Sequence, residues 1–326
     1  MFEIQLKNRP QGEPDAALFE FKELAIPVPD HGQALVENLY LSVDPYMREA
    51  MDSDWPLQQA LEGRSIGRVI DAGDSGLQNG QLVFHRKGWR SHALLRADEV
   101  RILPEHAGLD TSVFLSVLGG TGLTAYVALT RIAKLQAGES LFVSAAAGGV
   151  GTAIAQFARA MGAGRLIGST SSAEKMAYLT NALPYDVAIN YRTGDLSHSL
   201  AQAAPEGFDI YIDNVGGKHL EAAIQHIREH GRMVWVGAVA QYNHPGQAEF
   251  PANLYDIVAK SLRLEGFLVR NYRHLQNELE DFAIPHLRSG LILPQQTIYQ
   301  GLENMPQAFV EMLQGKNLGK TIVRLA

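Results

Sequence analysis

Leu141-Phe142-Val143-Ser144-Ala145-Ala146-Ala147-Gly148-Gly149-Val150-Gly151 is the stretch from which the fold of this chain is read. A short run of strand-type residues passes directly into a turn of alanine and glycine, and an amphipathic helical pattern follows over 152–161. Read as Ala146-x-Gly148-x-x-Gly151, the turn has dinucleotide-fingerprint spacing with alanine in the first glycine slot. The second position must lack a side chain so that the backbone can approach a pyrophosphate. The third must lack one so that helix and strand pack closely. The N-terminus of the helix then offers free N–H groups to phosphate.

Outward from this turn the chain alternates. Strand patterns fall at 141–145, 166–169, 187–189, 210–213, 233–236 and 264–269, with helix-length stretches at 152–161, 173–183, 220–229 and 254–261. This βαβ alternation predicts an α/β fold with a Rossmann doubly wound parallel sheet. The front of the chain reads differently. Runs such as 34–41 and 80–85 alternate with period two between Gly, Pro and Asp, the pattern of antiparallel strands. A polar helix is expected around 273–289, and the tail at 320–325 reads as one more strand, returning to the front domain. The expected domains are 119–290 for the dinucleotide and 1–118 with 291–326 for the β domain.

Length agrees, since 326 residues exceed the roughly 150 typical of one domain. The chain has no cysteine, which excludes disulfides, thiolate nucleophiles, iron–sulfur clusters and thiolate-held zinc. A net charge of −7 without a basic run argues against nucleic acid as a partner. The N-terminal residues carry scattered charge and no apolar core, so no secretory signal is read there. The uncharged stretch 111–130 is interrupted by three glycines and six Ser/Thr residues, unlike a membrane span. No membrane association is expected, and the default compartment is cytoplasmic.

The second strand distinguishes the cofactors. An NAD site places Asp or Glu near its end to bind the ribose 2′-hydroxyl, whereas this chain reads Gly168-Ser169-Thr170-Ser171-Ser172-Ala173-Glu174-Lys175. Glu174 reads as a capping-box partner of Ser171. Lys175 sits in the first helical turns, where a cation opposes the helix dipole, and is read as a ligand of a 2′-phosphate. The expected cofactor is NADPH.

Five segments carry a resemblance: 41–48 (Leu-Ser-Val-Asp-Pro-Tyr-Met-Arg), 122–126 (Gly-Leu-Thr-Ala-Tyr), 145–151, 213–217 (Asp-Asn-Val-Gly-Gly) and 315–320 (Gly-Lys-Asn-Leu-Gly-Lys). Together they resemble the zinc-independent medium-chain dehydrogenases/reductases of the prostaglandin reductase, alkenal reductase and curcumin reductase family. The resemblance spans nearly the whole chain. It implies a GroES-like front domain, a homodimer, and NADPH-dependent reduction of the carbon–carbon double bond of an α,β-unsaturated ketone or aldehyde. By the family pattern Thr124, Gly148, Gly149, Val150, Asn214, Gly237, Phe267, Leu268, Val269 and Asn317 line the cofactor, and Lys175 and Tyr191 contact its 2′-phosphate. One departure concerns the pocket. Where the family often has Met-Pro before Gly-Leu-Thr-Ala-Tyr, this chain has Gly120-Thr121, which removes a bulky side chain near the nicotinamide.

Hydride delivery to a β-carbon leaves an enolate, so the site needs a hydrogen-bond donor at the carbonyl oxygen and a proton for the α-carbon. A tyrosine phenol, protonated at neutral pH, suits this. Tyr242 follows the fifth strand at its carboxyl end, where doubly wound sheets bind ligands, and matches the family's active-site tyrosine. Tyr46 is the second candidate. His226-Ile227-Arg228-Glu229-His230 matches a zinc-peptidase pattern but reads as the end of a crossover helix, and no metal site is expected. Two other readings share the cofactor site: a zinc-free quinone reductase and a non-catalytic NADPH-binding regulator.

Overall fold

The computed structural model describes residues 1–104, 108–243 and 250–325. The chain divides into two compact units, Met1–Leu115 with Gln296–Ala326, and Ser116–Gln295.

The first unit is mainly antiparallel. β1 (Phe2–Leu6) and β2 (Phe19–Glu23) form a two-stranded ribbon. β3 (Ala34–Ser42) pairs with β4 (Ser65–Asp71), which continues through β5 (Leu82–His85) to β7 (Arg101–Ile102), and β6 (His92–Leu95) also pairs with β3. A short helix, α1 (Tyr46–Ala50), follows β3 after Pro45.

The second unit begins with α2 (Gly120–Val127) and holds a six-stranded sheet: β8 (Leu141–Val143), β9 (Leu166–Thr170), β10 (Val187–Asn190), β11 (Phe208–Asp213), β12 (Ile227–Trp235) and β13 (Arg263–Gly266). All six expected strands form, every pairing is parallel, and the order is β10-β9-β8-β11-β12-β13. Counted within the sheet this is 3-2-1-4-5-6, the Rossmann order, whose direction of winding reverses between β8 and β11. β8 shows why the run was legible: Leu141, Phe142 and Val143 are all fully buried, as strands covered on both faces must be. The crossovers are α3 (Gly149–Ala160), α4 (Ala173–Asn181), α5 (Leu196–Ala203), α6 (Gly217–His226) and α7 (Asp256–Ala259), followed by α8 (Gln276–Ser289).

The chain then returns to the first unit as β14 (Gln296–Gln300), α9 (Met305–Leu313) and β15 (Lys320–Arg324). β15 pairs parallel with β14 and antiparallel with β3. Packing ties this return down. Phe309 of α9 meets Trp89 at 6.0 Å between ring centroids, and Trp89 also contacts Phe19 and Trp55 at 5.0 and 5.2 Å. Buried aromatic clusters of this kind contribute beyond their area.

Three local expectations are corrected. The helix expected at 220–229 ends at His226, because the Lys260 ammonium donates to the carbonyls of Ile224, Gln225 and Ile227 at 2.9, 2.6 and 3.3 Å and closes its last turn. Ile227–His230 lies in β12 beyond the helix, with His230 in the left-handed region at φ +62°, so the two histidines of the H-x-x-E-H string do not share a helix. The cap of α4 is Ser172, whose hydroxyl accepts the Lys175 N–H at 3.2 Å, rather than Ser171. Glu174 instead lies in the first turn, where the helix dipole favours an acid.

Candidate dinucleotide site

The glycine turn lies at the carboxyl end of β8. Ala145 turns the chain at φ +48°, Gly148 N–H closes on the Ala145 carbonyl at 2.9 Å, and Ala146 N–H reaches the Ser169 carbonyl of β9 at 2.9 Å. The two fingerprint glycines differ in what surrounds them. A Cβ on Gly151 would stand 2.6 Å from Ala146 Cα, so the third glycine is required by backbone packing. A Cβ on Gly148 would meet only the Ala145 carbonyl oxygen, at 3.2 Å. The space before Gly148 is therefore a cradle that a side chain would fill. Gly148 caps α3 without a side-chain hydrogen bond, so Gly149 and Val150 open the helix with N–H groups that a phosphate can take. Below the turn, the buried Tyr185 phenol donates to the Gly151 carbonyl at 2.8 Å and fixes the start of α3.

Across the reversal point, Asn214 follows β11. Its amide donates to the Ser144 carbonyl and its backbone N–H to Ser144 Oγ, both at 2.8 Å. Ser144 in turn donates to Asp213 Oδ1 at 3.1 Å, and that oxygen also accepts from the Tyr211 hydroxyl and the Val215 and Gly216 N–H groups at 2.8–2.9 Å. Burial pushes the Asp213 carboxyl above the usual aspartate range, against the pull of these donors. Ser144 and Asp213 thus orient Asn214. Local sequence marks neither as a site residue, because the contact joins positions some seventy residues apart.

Gly237 follows β12 and hydrogen-bonds back to the Asp213 carbonyl at 3.2 Å. A Cβ there would lie 3.2 Å from the Tyr242 hydroxyl and 3.6 Å from the Asn214 carbonyl oxygen. The Tyr242 oxygen accepts the Ala238 N–H at 3.4 Å. Asn214, Gly237 and Tyr242 are thereby gathered at one corner of the sheet's carboxyl edge.

At the neighbouring corner, Lys175 follows β9 and Tyr191 follows β10, strands that end in register at Thr170 and Asn190. Burial lowers the Lys175 ammonium below the ordinary lysine range, Glu174 opposes that shift, and Arg192 adds to it. The Tyr191 ring packs edge-on against buried His219 at 4.9 Å, and burial depresses that imidazole to about 4. Thr124 is buried in α2, its hydroxyl on the Gly120 carbonyl at 2.8 Å. Phe267, Leu268 and Val269 leave β13, with Leu268 exposed.

Tyr46 and Asn317 belong to the first unit. Tyr46 opens α1; its hydroxyl donates to Glu62 Oε2 at 3.3 Å and its ring lies 5.0 Å from the Arg64 guanidinium. Burial raises its phenol well above the ordinary range. The Asn317 amide donates to the Gly319 carbonyl at 2.8 Å.

A parallel sheet in Rossmann order, a glycine cradle at its first strand and no acid at the end of its second define a dinucleotide-binding protein with room for a 2′-phosphate. Residues 3–103 match a family model described as the N-terminal domain of oxidoreductase, and residues 149–288 one described as zinc-binding dehydrogenase. Prostaglandin reductase 1 of Rattus norvegicus is 38% identical over 98% of this chain and 97% of the relative. The NADP(+)-dependent 2-alkenal reductase of Nicotiana tabacum is 34% identical over 99% and 97%. The crystal structure of CurA in complex with NADPH from Vibrio vulnificus matches 100% of this chain and 99% of its own, with a TM-score of 0.94 at 31% identity. The chain belongs to the zinc-independent medium-chain dehydrogenases/reductases, in the prostaglandin reductase, alkenal reductase and curcumin reductase family. The zinc in the second description is the model's: this chain has no cysteine, and among the described residues no three His, Asp or Glu side chains gather as metal ligands.

Proposed function

We infer that this protein is an NADPH-dependent reductase of the carbon–carbon double bond of α,β-unsaturated ketones or aldehydes. The observation that carries the reading is the corner where Asn214, Gly237 and the Tyr242 hydroxyl meet beside the glycine cradle. The cradle before Gly148 and the uncapped N-terminus of α3 fit a pyrophosphate, and Lys175 and Tyr191 suit a 2′-phosphate. When bound, NADPH would supply a hydride for the substrate's β-carbon, with the α-carbon proton coming from solvent. Tyr242 donates a hydrogen bond to the carbonyl oxygen as negative charge develops there, and the N–H it accepts from Ala238 polarises its phenol toward donation. Tyr46 is the second donor. Thr124, Val150, Phe267, Leu268 and Val269 line the cofactor, as does Asn317.

In this proposal residues 119–290 are the dinucleotide-binding domain, and 1–118 with 291–326 the GroES-like substrate and catalytic domain. The partner is a small enone or enal. No described helix is long and apolar enough to cross a membrane, and cytoplasmic residence is part of the proposal. So is a homodimer, supported by the open edge of β13 and by the exposed Phe250, Tyr255, Val258 and Leu268 near it in sequence. A monomer mass in light scattering would count against the dimer.

The reaction is tested by following NADPH oxidation with a 2-alkenal, curcumin, a 15-keto prostaglandin and a quinone. Consumption with the enal or enones, with the saturated carbonyl recovered, is the expected result. Turnover of the quinone alone would move the protein to quinone reduction, and no turnover with any of them would leave a binding protein.

A further inference from the structure

Arg192 has no role in the reading so far. It stands two residues beyond β10, beside Tyr191, its backbone N–H pinned by Asn190 Oδ1 at 3.0 Å. Its side chain is exposed and makes no ion pair among the described residues. Lys175 stands in the first turn of α4, just beyond β9. Because β9 and β10 are adjacent parallel strands ending in register, both cations project from the same corner of the sheet. They are close enough for the charge of Arg192 to act on Lys175 and disfavour its protonation. Two like charges held together at the carboxyl edge of a doubly wound sheet repel one another unless an anion lies between them.

We propose that Arg192 and Lys175 form a two-cation clamp for the cofactor's 2′-phosphate, with Arg192 the residue that sets the preference for NADPH over NADH. The chemistry suits the two side chains. The guanidinium fork offers paired N–H donors to phosphate oxygens, while the lysine acts as a point charge. Tyr191, whose ring packs edge-on against buried His219, lies in the chain between the end of β10 and Arg192. The clamp rests on the NADPH reading above and adds a second charge to it.

The test is binding rather than turnover. Dissociation constants for NADPH, NADH, 2′,5′-ADP and 5′-AMP are measured by calorimetry for the wild type, Arg192→Gln, Arg192→Lys and Arg165→Gln. Arg165 is an exposed cation just ahead of β9, at the opposite end of the sheet, and serves as the control for general electrostatics. In Arg192→Gln, NADPH and 2′,5′-ADP are expected to weaken by about tenfold, as one charge-assisted contact implies, with NADH and 5′-AMP unchanged. Arg192→Lys recovers part of that loss, Arg165→Gln shows none, and the salt dependence of NADPH binding becomes shallower in Arg192→Gln. If Arg192→Gln keeps the full preference of the wild type, or weakens NADH as much as NADPH, the clamp is wrong while the cofactor reading stands. A wild type that binds NADH and NADPH equally overturns the cofactor reading and the clamp with it.

Discussion

In the proposed mechanism Tyr242 acts through one oxygen atom. The Ala238 N–H approaches it at 3.4 Å, and Gly237 is the residue over which it lies; any side chain at 237 would crowd it, since even a Cβ would come to 3.2 Å. Removing the oxygen leaves the ring and the loop packing in place, so Tyr242→Phe isolates the hydrogen bond. Loss of a single donor at a developing oxyanion costs about 10²–10³ in kcat, and the same order is expected here, with the dissociation constant for NADPH within twofold. Stopped-flow measurement of the hydride step separates this from slow product release. A Phe variant with undiminished chemistry would remove Tyr242 from the mechanism and leave Tyr46 as the candidate. Gly237→Ala should act in the same direction more weakly, by displacing the phenol rather than deleting it.

The turn between β8 and α3 shows how one motif divides its work between two glycines. Gly151→Ala brings a methyl to 2.6 Å from Ala146 Cα, backbone against backbone. The helix-propensity gain of Ala over Gly is at most about 1 kcal/mol, whereas overpacking of this kind costs about 1–3 kcal/mol, so the clash wins. Gly151→Ala should lower the melting temperature of the apo protein. Gly148→Ala meets only a carbonyl oxygen at 3.2 Å, so it should leave the melting temperature nearly unchanged while weakening NADPH by about tenfold or more as the methyl enters the pyrophosphate cradle. Equal losses of stability in both variants would sink this division.

The same elements show what sequence can carry. β8, and Ile210–Ile212 within β11, were readable because strands covered on both faces become unbroken apolar runs. The helix α5 was not, because its signal is only the Asp195 cap on the His198 N–H, at 2.6 Å, and two buried residues, Leu200 and Ala203, among polar neighbours. Gly148 and Lys175 could be chosen from local spacing. The support that Ser144 and Asp213 give Asn214 could not, since it exists only once β8 and β11 lie side by side.

On the scale of the whole molecule, stability in acid is governed by groups the fold has buried. In the first unit, Asp44 is held between Lys320 of β15, at 2.9 Å, and Arg64, at 3.1 Å. Burial alone would raise its carboxyl, but the two cations and the Ser42 hydroxyl hold it well below the ordinary range. This depressed value contributes stability that is present above about pH 4, the unfolded aspartate value, and is lost as pH falls below it. His85 acts earlier. It is buried and its Nδ1 accepts the Lys87 N–H, and burial, with Arg90 and Lys87 nearby, depresses it to about 3. The unfolded chain takes up this proton near pH 6.5 and the folded chain does not, so stability falls by about 1.4 kcal/mol per pH unit between those values. Urea unfolding of the first unit, followed by the buried Trp55 and Trp89 in a Trp235→Phe background, should therefore show a midpoint that declines from pH 6.5 and declines more steeply below pH 4. His85→Asn should flatten the upper part of that decline. Asp44→Asn should already cost about 3–5 kcal/mol at pH 7, because it leaves Lys320 and Arg64 without their buried counter-ion. It should also remove the extra steepness below pH 4. A midpoint independent of pH between 7 and 4.5 would mean that His85 is protonated in the folded protein, and the burial argument would fail at that residue.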